Sequence, residues 1–168
     1  MNPRLVVIAL GSNLGDSRKI ILDAMERLEA LAEGRMLRSS LWQTSPVDCP
    51  PGSPAFVNAI VGFEPKRGET PETLLHKLKS LEREFGRRPK TIHNEPRPLD
   101  LDLIAFGNET RSTSELALPH LRAHARRFVL GPLNEIAPDY VLPGQNKTIA
   151  QLLAQLPSDP GVSKSAGV

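Results

Sequence analysis

"RPLDLDLIAFG", residues 97–107, has the apolar content of a buried strand but carries two aspartates. Read at period two, Leu99, Leu101, Leu103 and Ala105 share one face, while Asp100, Asp102, Ile104 and Phe106 share the other. Both faces are apolar except at Asp100 and Asp102, whose positions lie about 6.6 Å apart along the strand. A desolvated carboxylate costs several kcal/mol unless it is paired or bound to a metal. The stretch predicts a core strand whose first residues meet something positive; solvated acids on a half-exposed strand are the alternative.

Working outward, the elements before this strand define the sheet that it completes. Leu5 to Leu10 reads as a buried strand and Gly11 to Asp16 as a loop. Asp16 or Ser17 caps a helix with the apolar stripe Ile21, Ala24, Met25, Leu28 and Leu31. A second strand fits Met36 to Gln43, followed by "TSPVDCPPGSPAF", whose four prolines forbid regular structure. Asn58 to Glu64 resumes as a strand. In "TPETLLHKLKSLEREFG", Thr70 is the expected cap and Pro71 the first helical residue. Leu74, Leu75, Leu78, Leu81 and Phe85 turn inward, and Gly86 ends the helix.

The order β-α-β-β-α-β matches the split, ferredoxin-like α+β arrangement, in which two helices cover one face of an antiparallel sheet and leave the other available. Beyond Asn108 a short turn or hairpin, a helical piece within 122–136 and a last helix over 148–156 are expected as C-terminal additions. Residues 1–156 form a single domain in this reading. "PSDPGVSKSAGV", 157–168, is small, polar and proline-broken, and is expected to be disordered.

With 168 residues, 39% apolar and 24% charged, the chain has the composition of an ordinary globule. Its net charge of +2 is too small to imply a polyanionic partner. The one cysteine, Cys49, cannot form an internal disulfide, which suits a reducing compartment such as the cytoplasm. No run of about 20 apolar residues suggests a membrane anchor.

Charge distribution says more than the sum. Aspartates without histidine or thiolate partners suit Mg²⁺, which completes its shell with water and substrate phosphate. Arg87, Arg88, Lys90 and Arg97 precede the acids within a dozen residues, and His120, Arg122, His124, Arg126 and Arg127 follow them. Such loops are often solvated surface, but arginine's planar fork of donors fits phosphate oxygens, so cations on both sides of a metal site point to a polyphosphate ligand. "GSNLGD", 11–16, lacks the lysine of a Walker loop and the third glycine of a dinucleotide fingerprint, and reads as a tight structural turn.

These pieces, in order, resemble the 6-hydroxymethyl-7,8-dihydropterin pyrophosphokinases of folate biosynthesis. The resemblance runs from Val7 to about Pro143 through "ALGSNLGD", "TSP", "FVNAIVGFE", "LEREFGRRP", "EPRPLDLDLIAFG" and "LPHLRAHARRFVLGPLNEIAP". It implies transfer of pyrophosphate from ATP to the pterin hydroxymethyl group, with release of AMP. It implies two Mg²⁺ ions on Asp100 and Asp102, catalytic arginines at Arg87 and Arg97, and ATP contacts from Glu82, Arg87, Arg97, Leu103, His120 and Arg126. For the pterin it implies Thr44, Val47, Phe56, Asn58 and Phe128, with aromatic rings about the flat bicycle and Asn58 on its edge. Asp102 is also a candidate acceptor for the hydroxyl proton. A monomer acting on two small molecules, without nucleic acid or membrane, is expected. The chain departs from the family pattern at Asn94, Glu115, Ala117 and Leu121, which bears on adenine contacts and loop closure.

A β-α-β-β-α-β sheet also serves single-strand RNA-binding modules, which stack bases on aromatic residues. Seven aromatic residues among 168, and acids on the strand that would face RNA, weigh against that alternative. A member of the same family impaired by the departures is the other alternative.

Overall fold

The computed structural model describes residues 4–45, 51–86 and 96–165. The core elements follow the expected order: β1 (Val6–Ser12), α1 (Ser17–Glu29), β2 (Ala32–Arg38), β3 (Trp42–Thr44), β4 (Phe56–Pro65), α2 (Pro71–Glu84) and β5 (Asp100–Phe106). After them come the hairpin β6 (Arg111–Ser112) and β7 (Ala117–Leu118), a 3-10 turn at Ala123–Ala125, α3 (Arg127–Ile136), α4 (Ile149–Gln155) and β8 (Val162–Lys164). The result is an α+β fold. Its antiparallel sheet runs β5-β1-β4-β3-β8, with β2 also paired to β4.

Local chemistry explains the helix ends. The Asp16 carboxylate accepts the Lys19 amide in the first turn of α1. Thr70 caps α2 reciprocally with Thr73, ahead of Pro71. Beyond α2, Gly86 takes φ +95°, which a side chain would resist.

The expected second strand, Met36 to Gln43, is two strands on one edge of β4. At the break, the Ser39 amide donates to the Ile60 carbonyl and the Ser39 hydroxyl accepts the Ile60 amide. Serine thus stands in for the missing ladder, a substitution that apolar patterning does not reveal.

Two cores fill the two faces. Val6, Ile8 and Leu10 of β1 pack with Met25 and Leu28 of α1 and Leu74 and Leu78 of α2. On the opposite face, Val7, Ile60 and Ile104 pack with Leu130 and Leu133 of α3 and Ile149 and Leu152 of α4. The face expected to be available is therefore covered over much of its extent. The expected loop over 11–16 is also shortened, because Gly11 and Ser12 stay in β1 and pair with Asn58 and Val57.

The strict alternation expected along β5 breaks at a bulge. Val7 opposes Ala105 and Ile8 opposes Leu103, so Ile104 is an extra residue. Ile104 and Ala105 both join the α3 core, and Phe106 crosses to the helix α1 and α2 side with Leu101 and Leu103. The expected faces of Ala105 and Phe106 are exchanged. Asp100 and Asp102, ahead of the bulge, keep theirs.

The tail expected to be disordered from 157 also contributes structure. Val162, Ser163 and Lys164 pair with Thr44, Gln43 and Trp42 at the edge of the sheet. Composition predicts disorder from the shortage of apolar surface, whereas this strand is recruited by the unfilled ladder of β3.

Candidate active site

β5 presents its acids at the sheet edge beside α2. The buried Glu82 carboxylate accepts the Leu101 amide at 2.7 Å, between the two aspartates in sequence. On the same strand, the carbonyl of the bulged Ile104 accepts the His120 amide at 2.8 Å. The edge of β5 is thus held by α2 on one side and by the 115–126 segment on the other. Between these walls lies a cavity of about 450 Å³, lined by Glu82, Asp100, Asp102, Leu103, His120 and Arg126 among others.

The electrostatics fit an anion carried with a cation. Burial, reinforced by Arg126 and Arg122 and opposed by Asp100, holds the His120 imidazole below its usual pKa. Its Nδ1 accepts the Arg122 amide at 3.3 Å, which leaves Nε2 as the donor of the neutral ring. Burial and Arg122 also lower the pKa of Arg126, against the opposing effect of Asp102. Arg97 reaches Asp100 at 3.7 Å and lies over the Phe56 ring, 5.9 Å from its centroid. Its Nε is buried without a hydrogen-bond partner. Among the described residues, no three or more histidine, cysteine, aspartate or glutamate side chains form a group that could hold a metal. Asp100 and Asp102, which both line the cavity, are a pair of hard oxygen donors of the kind that suits Mg²⁺, an ion that takes few protein ligands and completes its shell with water and phosphate.

The second cluster lies across the sheet from these acids. Asp100 opposes Gly11, Gly11 opposes Asn58, and Asn58 opposes Trp42, so one lateral row crosses four strands. Thr44 joins this cluster, its hydroxyl accepting the Asn58 amide group at 2.5 Å. A Cβ at Gly11 would lie 3.4 Å from Asn58 Oδ1 and 3.5 Å from the Phe56 ring. Glycine there keeps clear the floor between Asp100 and Asn58, about 9.6 Å wide at two inter-strand spacings. Arg126 stacks over Phe128 at 5.4 Å, tying the first residues of α3 to the phosphate-side cations.

Among the expected site residues, Val47 and Arg87 lie outside the described residues. Three other contributors are visible only in the structure. Gly11 is one. Asn13 is the second: it is buried, its side chain accepts the Arg97 amide and donates to the Pro54 carbonyl, and its own amide donates to the Arg97 carbonyl. Through Asn13, "GSNLGD" clamps the segment entering β5. The third is Lys79, which lines the cavity with Leu75 and Glu82 at helical spacing on α2. Three of the departures from the family pattern, Glu115, Ala117 and the 75% exposed Leu121, line the same cavity.

Residues 7–138 match the family described as 7,8-dihydro-6-hydroxymethylpterin-pyrophosphokinase (HPPK). The chain belongs to this family. It is 36% identical over 163 residues to a pyrophosphokinase of Pseudomonas aeruginosa, named for 2-amino-4-hydroxy-6-hydroxymethyldihydropteridine, covering 96% of this chain and 97% of that one. It is 36% identical over 151 residues to the folic acid synthesis protein fol1 of Pneumocystis carinii, covering 90% of this chain but 20% of that longer protein. A solved wild-type HPPK-DHPS of Plasmodium falciparum with pteroate shares the fold at a TM-score of 0.69 and 16% identity, covering 90% of this chain and 42% of that chain. The pyrophosphokinase match ends before α4 and β8, so both fall outside the matched segment.

Proposed function

We propose that Asp100 and Asp102 bind the Mg²⁺ that accompanies ATP, two ions in all, and that Thr44, Asn58, Phe56 and Phe128 hold the pterin. The chain transfers pyrophosphate from ATP to 6-hydroxymethyl-7,8-dihydropterin in folate synthesis. The observation that supports the assignment of residues is the lateral row, in which Asp100 and the hydrogen-bonding amide of Asn58 share one sheet face with Gly11 between them, while Asp102 follows two residues along β5.

Bound Mg²⁺ supplies charge neutralisation and template chemistry for the phosphates. The protein's own groups supply position. His120, neutral, donates from Nε2 while Arg126 and Arg97 place fixed positive charge around the triphosphate, and Arg87 is assigned to the same clamp. The guanidinium of Arg97 lies between Asp100 and Phe56, where it can follow the group being transferred from nucleotide to pterin. Glu82 fixes β5 through Leu101 and thereby aims both acids. Asp102 faces the same cavity and takes the proton of the pterin hydroxyl as its oxygen attacks the β-phosphorus of ATP, while the bond from that phosphorus to the α,β-bridging oxygen breaks and AMP leaves. The domain, whose sheet includes β8, acts as a monomer in the cytoplasm, a reading supported by its own two-sided core and its single cysteine.

The test is stoichiometric. Incubation with Mg²⁺, ATP and the reduced hydroxymethylpterin should accumulate AMP in step with pterin diphosphate; ADP as the matching product would overturn the reaction, and wild-type turnover in Asp100→Asn would overturn the metal assignment.

A further inference from the structure

The last strand is the feature that the reaction leaves unexplained. Ser163 and Lys164 are exposed and Val162 is half-buried, so β8 is held chiefly by its backbone. The Ser45 amide donates to the Gly161 carbonyl at 2.8 Å, and the Ser165 amide donates to the Leu41 carbonyl at 2.8 Å. Between them Gln43 opposes Ser163, and the alternation of an antiparallel ladder makes that pair the next one to exchange hydrogen bonds. The residues gripped on β3 thus flank Thr44, whose hydroxyl accepts from Asn58.

One carboxylate ties this edge to α3. Glu135 accepts the Trp42 indole N–H at 2.9 Å, the Ser40 amide at 3.1 Å and the Ser40 hydroxyl at 2.8 Å, and it pairs with Lys164 at 3.0 Å. β3, three residues long, has little else on its outer side. Short edge strands held by exposed ladders open at low free energy.

We infer that β8 is a positioning strand for the pterin pocket: docked on β3 it fixes Thr44 against Asn58, and undocked it lowers pterin affinity while nucleotide binding at the β5 edge is unchanged. The inference rests on the reading of Thr44 and Asn58 as pterin contacts. Linkage makes it reciprocal, since the factor that docking adds to pterin affinity is the factor that pterin adds to docking.

Ser163→Pro removes one ladder N–H and alters only an exposed side chain, and Ser163→Ala retains the N–H as a control. The proline variant should raise the pterin KM about fivefold, the scale of one hydrogen bond, with the ATP KM within about twofold and the alanine variant unchanged. An unaltered pterin KM in folded Ser163→Pro, or equal rises in both KM values, would overturn the inference. Should proline prevent folding, amide exchange on the unaltered protein decides: saturating pterin should slow Ser163 and Ser165 by about the same factor, and no slowing refutes the coupling. A pterin KM unmoved by Asn58→Ala would instead sink the pocket assignment itself.

Discussion

Asp100 and Asp102 show what the site asks of individual side chains. The Asp100 side chain is 24% exposed and lies 3.7 Å from the Arg97 guanidinium. Two carboxylates on one strand face repel each other in the metal-free protein, so Asp100→Asn and Asp102→Asn should keep the metal-free melting temperature within a few degrees of the parent while turnover falls by about 10³-fold or more, since each substitution removes a proposed metal ligand. Paired thermal melts and Mg²⁺-dependent AMP formation test this, and a destabilised variant with retained activity would make the acids structural. Gly11 carries a complementary expectation. A methyl there contacts Asn58 and Phe56 at 3.4–3.5 Å without meeting backbone, so Gly11→Ala should fold normally and raise the pterin KM with little effect on that for ATP. Equal effects on both substrates would remove Gly11 from the pterin floor.

At the level of elements, Glu135 makes a junction whose pH dependence has a defined sign. Burial raises its pKa, but hydrogen bonds from Trp42, Lys164 and Ser40 outweigh burial and the net shift is downward. A carboxylate lowered in the folded state contributes stability that is fully present above its unfolded pKa of about 4.3 and is lost as pH falls through the folded value. Melts of the parent and Glu135→Gln should differ at pH 7 and converge towards pH 3; a gap that widens in acid contradicts the assignment. Trp42, the only tryptophan, should report the same change in its emission. How much of this was legible beforehand follows from the kind of signal. The helices were readable because caps, proline and apolar period agree within each segment, and the paired acids of β5 because two charges interrupt an apolar strand. The bulge at Ile104, the Ser39 splice and β8 were not readable, since each answers a backbone group on a distant strand. Gly11 and Asn13 were hidden for a related reason: in sequence they look like any strand end and turn.

On the scale of the whole molecule, the metal acids sit at a sheet edge while the two cores lie on its faces. On the proposed assignment, metal is needed for chemistry and not for folding. EDTA should abolish turnover and leave the melting midpoint of the ligand-free protein unchanged, whereas Mg²⁺ with ATP should raise it by mass action, through a stabilisation of about 2.7 kcal/mol at a hundredfold excess over Kd. A midpoint that drops with EDTA alone would place a metal in the folded framework. The lateral row has one more consequence. Asp100 and Asn58 are separated by two strand spacings fixed by backbone hydrogen bonds, so the distance between their Cα atoms is the same whatever rotamers they adopt. The sheet acts as a ruler: a pterin whose hydroxyl hangs on a two-carbon arm would overshoot the attacking position by about a bond length, and near-attack geometry tolerates little of that. Selection for the one-carbon alcohol would then be a property of the main chain, out of reach of mutations in the pocket's side chains.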